Sequence, residues 1–181
     1  MKKVVFLFFI ISGLLIHCEE DSKEAPLKAD INQDYPDQET WNATSSLTRA
    51  GKKIGIIKAG IIKKYRKKSV TLLSDSIRVD FFDKEGHHTS VLTSLGGEVL
   101  DVKQDMVAYG NVVVVSDSGI TLRTDTLYWD NKRQKVISKI PVIFTTLTDT
   151  LFGDSFESDP DLTNYQITNP RGKSGTKLGI E

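Results

Sequence analysis

Residues 113–130 read VVVSDSGITLRTDTLYWD and contain a complete strand, turn and strand. On both sides of the turn, apolar side chains recur at every second position, which is typical of a half-buried β-strand. The run of four valines at 112–115 favours a strand further, because β-branched side chains pack well on a pleated surface. Ser, Asp and Gly at 116–119 stabilise a chain reversal, so we predict a β-hairpin here.

The same pattern extends outward in both directions. Apolar residues alternate with polar ones at 77–81, and a similar alternation runs through 142–146. No window between residues 41 and 169 has the three-to-four-residue apolar spacing of a helix. The spacing between turns is too short for βαβ crossovers, which indicates antiparallel pairing. Polar turn sequences separate the apolar runs at 49–52, 83–86, 116–119 and 130–132.

A weak internal repeat points to the architecture. Leu127 lies 29 positions after Glu98, and Phe156 lies 29 positions after Leu127, each in a similar strand-and-turn context. One such unit cannot bury its apolar face alone, so neighbouring units must stack and share a core. We therefore predict an all-β domain at residues 39–170, folded as an antiparallel β-roll or β-jellyroll with two facing sheets.

Composition excludes several classes of function. The 181 residues include 24 basic and 24 acidic side chains, so net charge gives no reason to expect nucleic acid as the partner. One cysteine permits neither an internal disulfide nor a cysteine-built zinc site. His87 and His88 are adjacent, so on a strand they point to opposite faces and are a poor metal pair. No nucleophile elbow or phosphate loop occurs; we expect a protein without catalytic activity, metal or cofactor.

The N-terminus has the pattern of a bacterial lipoprotein signal. Residues 2 and 3 are lysines, residues 4–16 carry no charge, and the only cysteine, Cys18, follows after His17. A run of thirteen uncharged residues is too short to span a bilayer but suits a signal-peptide core. His17 departs from the small residue usual before a lipidated cysteine. We predict a signal peptide at 1–17 and lipidation at Cys18; an uncleaved anchor and a plain secretory signal are the alternatives.

Polar segments are expected on both sides of the domain. Residues 18–38 are acidic, contain Pro26 and Pro36 and have no apolar period, which predicts a flexible tether. Residues 171–181 are rich in Gly and Lys, which predicts a frayed C-terminal tail.

Several motifs of the domain resemble those of the LptC family of lipopolysaccharide export proteins, within the OstA-like superfamily. The resemblance covers about residues 35–170 and is carried by residues 35–39, 89–94, 108–114 and 119–130. It implies a twisted, open β-jellyroll in the periplasm that receives lipopolysaccharide from an inner-membrane ABC transporter and passes it to a periplasmic bridge protein. Members of the family usually have an N-terminal membrane helix, and in this chain a candidate lipid anchor at Cys18 stands in its place, which implies attachment to the inner membrane.

A lipid carrier of this kind needs an apolar groove, because each CH₂ exposed to water costs about 0.8 kcal/mol. The alternating positions predict which side chains point inward. An ordinary closed core gives the same alternation, so the residues alone leave both interpretations open. The candidate groove residues are Ile77, Val79, Phe81, Val91, Val113, Val115, Ile120, Leu122, Leu127, Trp129, Val142, Phe144 and Phe156.

The strand edges and one basic run complete the expectations. The resemblance implies that the first strand, near Trp41 to Leu47, meets the transporter and that the last strands, near Phe156 to Ile167, meet the bridge protein. The run at 63–68 holds five basic residues in six; it could contact lipid phosphates or form a solvated turn or protected edge. The alternative function is a structural or adaptor lipoprotein whose closed β-domain binds a protein or glycan; a β-sandwich hydrolase is a remote third.

Overall fold

The computed structural model describes residues 34–174, which form one antiparallel, open β-sheet of twelve strands. A 3-10 turn at Arg66–Lys68 joins the second and third strands. The predicted signal peptide at 1–17, Cys18, most of the predicted tether and the last seven residues lie outside the described part. The strands are β1 (Gln38–Arg49), β2 (Lys52–Tyr65), β3 (Val70–Phe82), β4 (His88–Leu100), β5 (Asp105–Ser116), β6 (Thr121–Asp130), β7 (Lys135–Ser138), β8 (Val142–Thr145), β9 (Asp149–Gly153), β10 (Ser155–Ser158), β11 (Tyr165–Thr168) and β12 (Arg171–Ser174).

The strands follow one another as a meander that forks at β6. Strands β1 to β6 pair in sequence order. The end of β6, Tyr128–Asp130, pairs with β7, whereas its beginning, Thr121–Arg123, pairs with β8. From there β7, β10 and β11 continue one branch, and β8, β9 and β12 continue the other. The all-β, antiparallel class predicted from the alternation is therefore confirmed.

Every long strand is interrupted near its middle, and these interruptions form one line across the sheet, here called the fold line. The ladders slip between Ser74 and Ile77, and again between Tyr109 and Val112. Asp75 and Ser76 both have positive φ angles, of 62° and 63°. Beyond β6 the interruptions become complete gaps between β7 and β8, β9 and β10, and β11 and β12.

The fold line divides the sheet into two layers that face each other. Layer A contains β8, β9, β12 and the halves of β1 to β6 that pair on that side; layer B contains β7, β10, β11 and the other halves. Phe81 in layer A and Trp129 in layer B have ring centroids 6.2 Å apart. Their strands are three positions apart, about 14 Å in a flat sheet, so the rings meet because the sheet is folded over.

The core occupies the space between the two layers. Ile57, Ile77, Val79 and Leu92 enter it from layer A, and Leu73, Leu127 and Val136 enter it from layer B; all are less than 9% exposed. The 29-residue offset is also explained, since Glu98, Leu127 and Phe156 lie on β4, β6 and β10, one hairpin apart.

Three of the thirteen residues predicted to point inward have the opposite orientation. Val112 and Val114 are 1% exposed, whereas Val115 is 43% exposed and Val113 is intermediate. A run of four valines has no alternation of its own, and the backbone bend at Gly110–Asn111 sets which members face the core. Val91 pairs directly with Val115 and therefore shares its outward face, while the small Ser90 points inward.

Other boundaries also differ from expectation. β1 begins at Gln38 and ends at Arg49, beyond the expected Trp41 to Leu47 at both ends, and its Trp41 is 63% exposed. Arg171–Ser174, expected within a frayed tail, forms β12 and pairs with β9. The basic run at 63–68 ends β2 and makes the following turn, in agreement with one of the two interpretations.

The close approach of backbones at the fold line predicts a specific sensitivity at Gly60. A Cβ added there would lie 2.5 Å from the carbonyl oxygen of Asp75, which cannot move away without disturbing β3. Gly60→Ala should therefore lower the free energy of unfolding by about 1–3 kcal/mol, measured by urea denaturation.

Gly55→Ala is the matched control, because the nearest atom to its Cβ is the flexible end of Leu47 at 3.1 Å. If Gly60→Ala were as stable as Gly55→Ala, the fold line would not be a constrained crossing.

Candidate functional site

The space between the layers, here called the slot, brings most of the predicted groove residues together. Its central part is lined by Ile77, Val79 and Phe81 from layer A and by Leu127 and Trp129 from layer B. Leu122, Val142, Phe144 and Phe156 belong to the same core, and half-buried Ile120 packs against it. Val91, Val113 and Val115 lie outside the slot.

Further core residues were missed in the sequence. Val112 and Val114 could have been predicted as core residues if the other face of the valine run had been assigned to the core. Leu162 has no sequence signal, because it is a single apolar residue among Asp, Pro, Thr and Asn in a loop. The buried core residues that were missed are Ile57, Ala59, Leu73, Leu92, Val112, Val114, Val136 and Leu162.

The slot is filled in this conformation. The central void measures about 40 Å³, which is roughly the volume of one water molecule in the liquid. Phe144 is wholly buried, and its ring lies 5.4 Å from Phe156 and 4.3 Å from Tyr165 of layer B. An acyl chain therefore has no room between the layers unless they separate.

A larger cleft lies where the free ends of the layers meet, opposite the fold line, and is here called the mouth. Its volume is about 720 Å³, within the usual range for small-molecule sites. Leu47, Phe81, Met106 and Trp129 contribute apolar surface to it, while Lys52, Lys84 and other turn residues supply polar groups. The mouth thus joins solvent to the apolar interior.

A few contacts cross the mouth and hold the layers together there. Arg49 at the end of β1 donates a hydrogen bond from Nη2 to the carbonyl oxygen of Asn131 in the β6–β7 turn. Ser90 donates from Oγ to the carbonyl oxygen of Pro160 over 2.8 Å. Leu162, in the same β10–β11 loop as Pro160, is completely buried in the core. The loop at 159–164 is therefore wedged between the two layers.

Ionic contacts fix the base of that loop. Lys135 Nζ lies 2.7 Å from Asp159 Oδ1, and Asn164 donates to Asp159 Oδ2 over 2.7 Å. The hydrogen bond from Lys135 is the main cause that lowers the pKa of Asp159, partly opposed by desolvation. The carboxylate is consequently charged at neutral pH and ties the loop to β7.

Both edges of the sheet lack a neighbouring strand within residues 34–174. β1 pairs with β2 alone, and its edge extends along both layers. At the other end, β11 pairs only with β10 and β12 only with β9. Unpaired backbone groups at such edges can accept another strand.

The polar clusters have no metal-binding geometry among residues 34–174. His88 Nδ1 lies 2.8 Å from Asp117 and His88 Nε2 lies 3.7 Å from Asp80, at the outer ends of layer A. The hydrogen bond from Arg78 is the largest cause that lowers the pKa of Asp80.

In the described part, no helix is long and apolar enough to cross a membrane.

Comparison with known protein families identifies the family of this chain. No curated protein matches the chain significantly. The family model described as "Lipopolysaccharide-assembly, LptC-related" matches residues 4–153, which is most of the chain and includes strands β1 to β9. This match confirms the resemblance seen in the sequence. The chain therefore belongs to the LptC family of cell-envelope proteins and has a role in lipopolysaccharide transport.

Proposed function

We propose that the domain is a non-catalytic carrier that shields the acyl chains of lipopolysaccharide between its two layers. The observation that carries this proposal is a continuous apolar interior that ends at two unpaired sheet edges. Lipid enters from the inner-membrane ABC transporter at the β1 edge and leaves to a periplasmic bridge protein at the β11 and β12 edge.

The interior suits acyl chains because it contains no charged side chain among the buried residues described. Its buried polar residues are five serines, of which only Ser158 has a side-chain oxygen without a hydrogen-bond partner. Each CH₂ that moves from water into such a space gains about 0.8 kcal/mol. The Ser158 hydroxyl group is available to an ester or hydroxyl oxygen of the lipid.

The layers must separate at the mouth to admit lipid, while the fold line acts as the hinge. Opening breaks the Arg49–Asn131 and Ser90–Pro160 hydrogen bonds, each worth about 0.5–1.5 kcal/mol. It also withdraws Leu162 from the core. Apolar contacts between the layers are replaced by contacts with acyl chains, so the net cost of opening a loaded slot is small.

Edge pairing with neighbouring β-domains would make the slot continuous across proteins. The β1 edge spans twelve residues, long enough for main-chain pairing along both layers. The opposite edge presents two four-residue strands, one for each layer. A neighbour with the same folded architecture can therefore extend layer A and layer B together.

The N-terminal segment supplies the membrane attachment in this proposal. Residues 1–17 are the signal peptide, and acyl chains on Cys18 hold the protein at the inner membrane. Cys18 precedes Asp34 by 16 residues, which as a flexible chain have a root-mean-square span of about 22 Å. The domain at 39–170 thus remains close to the transporter.

The small void favours a second candidate function. A filled interior of about 40 Å³ is what a structural or adaptor lipoprotein requires, with the outer faces or edges binding a protein or glycan. The two functions differ in whether the slot ever contains lipid.

Photo-crosslinking at two positions of β6 distinguishes them. Benzoylphenylalanine at Trp129, which points into the slot, should form lipopolysaccharide adducts in cells. The same group at Arg123, which is exposed on the outer face of the same strand, should not. Adducts are detected by immunoblotting after irradiation; equal labelling at both positions, or none at Trp129 in a folded protein, favours the adaptor.

A covalent link across the mouth tests the opening step. Cysteines at Ser90 and Pro160 replace a 2.8 Å hydrogen bond between the layers. Oxidation of Ser90→Cys/Pro160→Cys should reduce adducts at Trp129 at least about tenfold, and reduction should restore them, because lipid enters only when the layers part. The two variants with only one of these substitutions are the controls. Unchanged adducts in the oxidised protein would mean that lipid reaches the slot without opening at this point.

Cys18→Ala tests the anchor separately from the slot. The variant should lose incorporation of radiolabelled palmitate and move from the membrane to the soluble fraction, since the remaining apolar run is too short to span a bilayer. Circular dichroism should still show the β-domain. Retention in the membrane fraction would contradict a required lipid anchor.

A further inference from the structure

We propose that the turns at the free end of layer B form a surface that docks on an anionic phospholipid bilayer. Three neighbouring turns, β2–β3, β4–β5 and β6–β7, present exposed cations at this end. Together these six residues are called the basic rim: Arg66, Lys67, Lys68, Lys103, Lys132 and Arg133.

Hydrogen bonds hold the three turns side by side. The backbone N–H of Asp101 donates to the carbonyl oxygen of Ser69 over 3.0 Å, which joins the first turn to the second. Asn131 Nδ2 donates to the carbonyl oxygen of Lys103 over 3.3 Å, which joins the second turn to the third. The cations therefore form one row on a rigid edge.

The acidic side chains near the rim make hydrogen bonds and ion pairs within the domain. Asp37, Asp105 and Asp130 accept backbone N–H groups of the turns at 2.7, 3.0 and 2.9 Å. Asp101 accepts a hydrogen bond from Thr71 and lies 3.9 Å from Lys64. These carboxylates stabilise the turns, while Arg66, Lys67, Lys103 and Lys132 extend toward solvent. Within the rim, Arg133 pairs with Glu157, and Lys68 Nζ lies 5.5 Å from the centre of the Tyr65 ring.

An apolar side chain stands at the apex of the row. Val102 is 82% exposed and sits between Asp101 and Lys103 in the middle turn. An exposed apolar tip flanked by cations matches the headgroup region of a bilayer, where charge meets phosphate and the tip enters the acyl boundary. An acidic protein surface offers no comparable place for the tip.

The chain also leaves the domain at this rim. The N–H of Asp37 donates to the carbonyl oxygen of Lys64 over 2.8 Å, so β1 begins beside the Arg66–Lys68 turn. Cys18 precedes Asp37 by 19 residues in the sequence. Membrane attachment through one anchor becomes more stable when a second, basic surface also binds the membrane. A short tether between the two raises the local concentration of the rim at the membrane.

Depth-dependent quenching tests the docking with the full chain reconstituted in vesicles. Val102→Trp should be quenched by brominated acyl chains in phosphatidylcholine vesicles that contain phosphatidylglycerol, and much less in phosphatidylcholine alone. Leu147→Trp is the matched control, because Leu147 is 86% exposed in the β8–β9 turn of layer A. The signal of each variant is measured as the increment over the parent protein, which contains Trp41 and Trp129.

Charge reversal identifies the cause. Lys67→Glu/Lys103→Glu/Lys132→Glu in the Val102→Trp chain should weaken the docking at least about a hundredfold, since each cation near an anionic surface changes binding about fivefold. Lys84→Glu, in a turn of layer A, should have no effect. Circular dichroism of each variant confirms that these exposed substitutions leave the fold intact.

Equal quenching at positions 102 and 147, or quenching that does not depend on phosphatidylglycerol, would overturn the proposal. Quenching that requires lipopolysaccharide in the vesicle would assign the rim to the transported lipid and would equally overturn it. Adducts at Trp129 report on the slot alone, so loss of docking with adducts retained separates this inference from the carrier function.

Discussion

The structure depends on a backbone bend that every strand makes at the same place. Each of the first six strands crosses the fold line and pairs on both sides of it, so neither layer can form without the other. Left-handed residues such as Asp75, Ser76 and Asn111 supply the bend, at a conformational cost that the paired strands on both sides offset. The apolar faces then have only each other to cover them.

In the proposed carrier function, this arrangement lets one domain be stable and still admit a lipid. Strands β1 to β6 pass through the fold line from one layer to the other, so the layers stay joined there. At the mouth the layers are joined by individual side chains and one wedged loop. In the proposed function, opening is thus confined to one side, and the filled interior is the resting form of a slot whose contents are exchanged rather than emptied.

Sequence reasoning predicted the strand class, the antiparallel pairing, the four turns and ten of the thirteen inward positions. It succeeded where apolar and polar residues alternate, as at 77–81. There the alternation indicates both that the segment is a strand and which of its side chains face the core. It failed in the valine run, where Val113 and Val115 have the same chemistry as their inward neighbours. The fold line could not be predicted from the sequence, since Asp75 and Ser76 resemble any other polar pair within a strand. Leu162 depends on a long-range contact that no local pattern encodes.

Because strands come in hairpins of about 29 residues and each hairpin crosses both layers, the domain grows in one dimension only. Adding or removing a hairpin would lengthen or shorten the passage by two strand spacings, about 9–10 Å, without altering its cross-section. The number of hairpin repeats therefore sets the length of the passage. Evolution can therefore change the length of the space between the layers while its width, which limits what it can hold, stays the same.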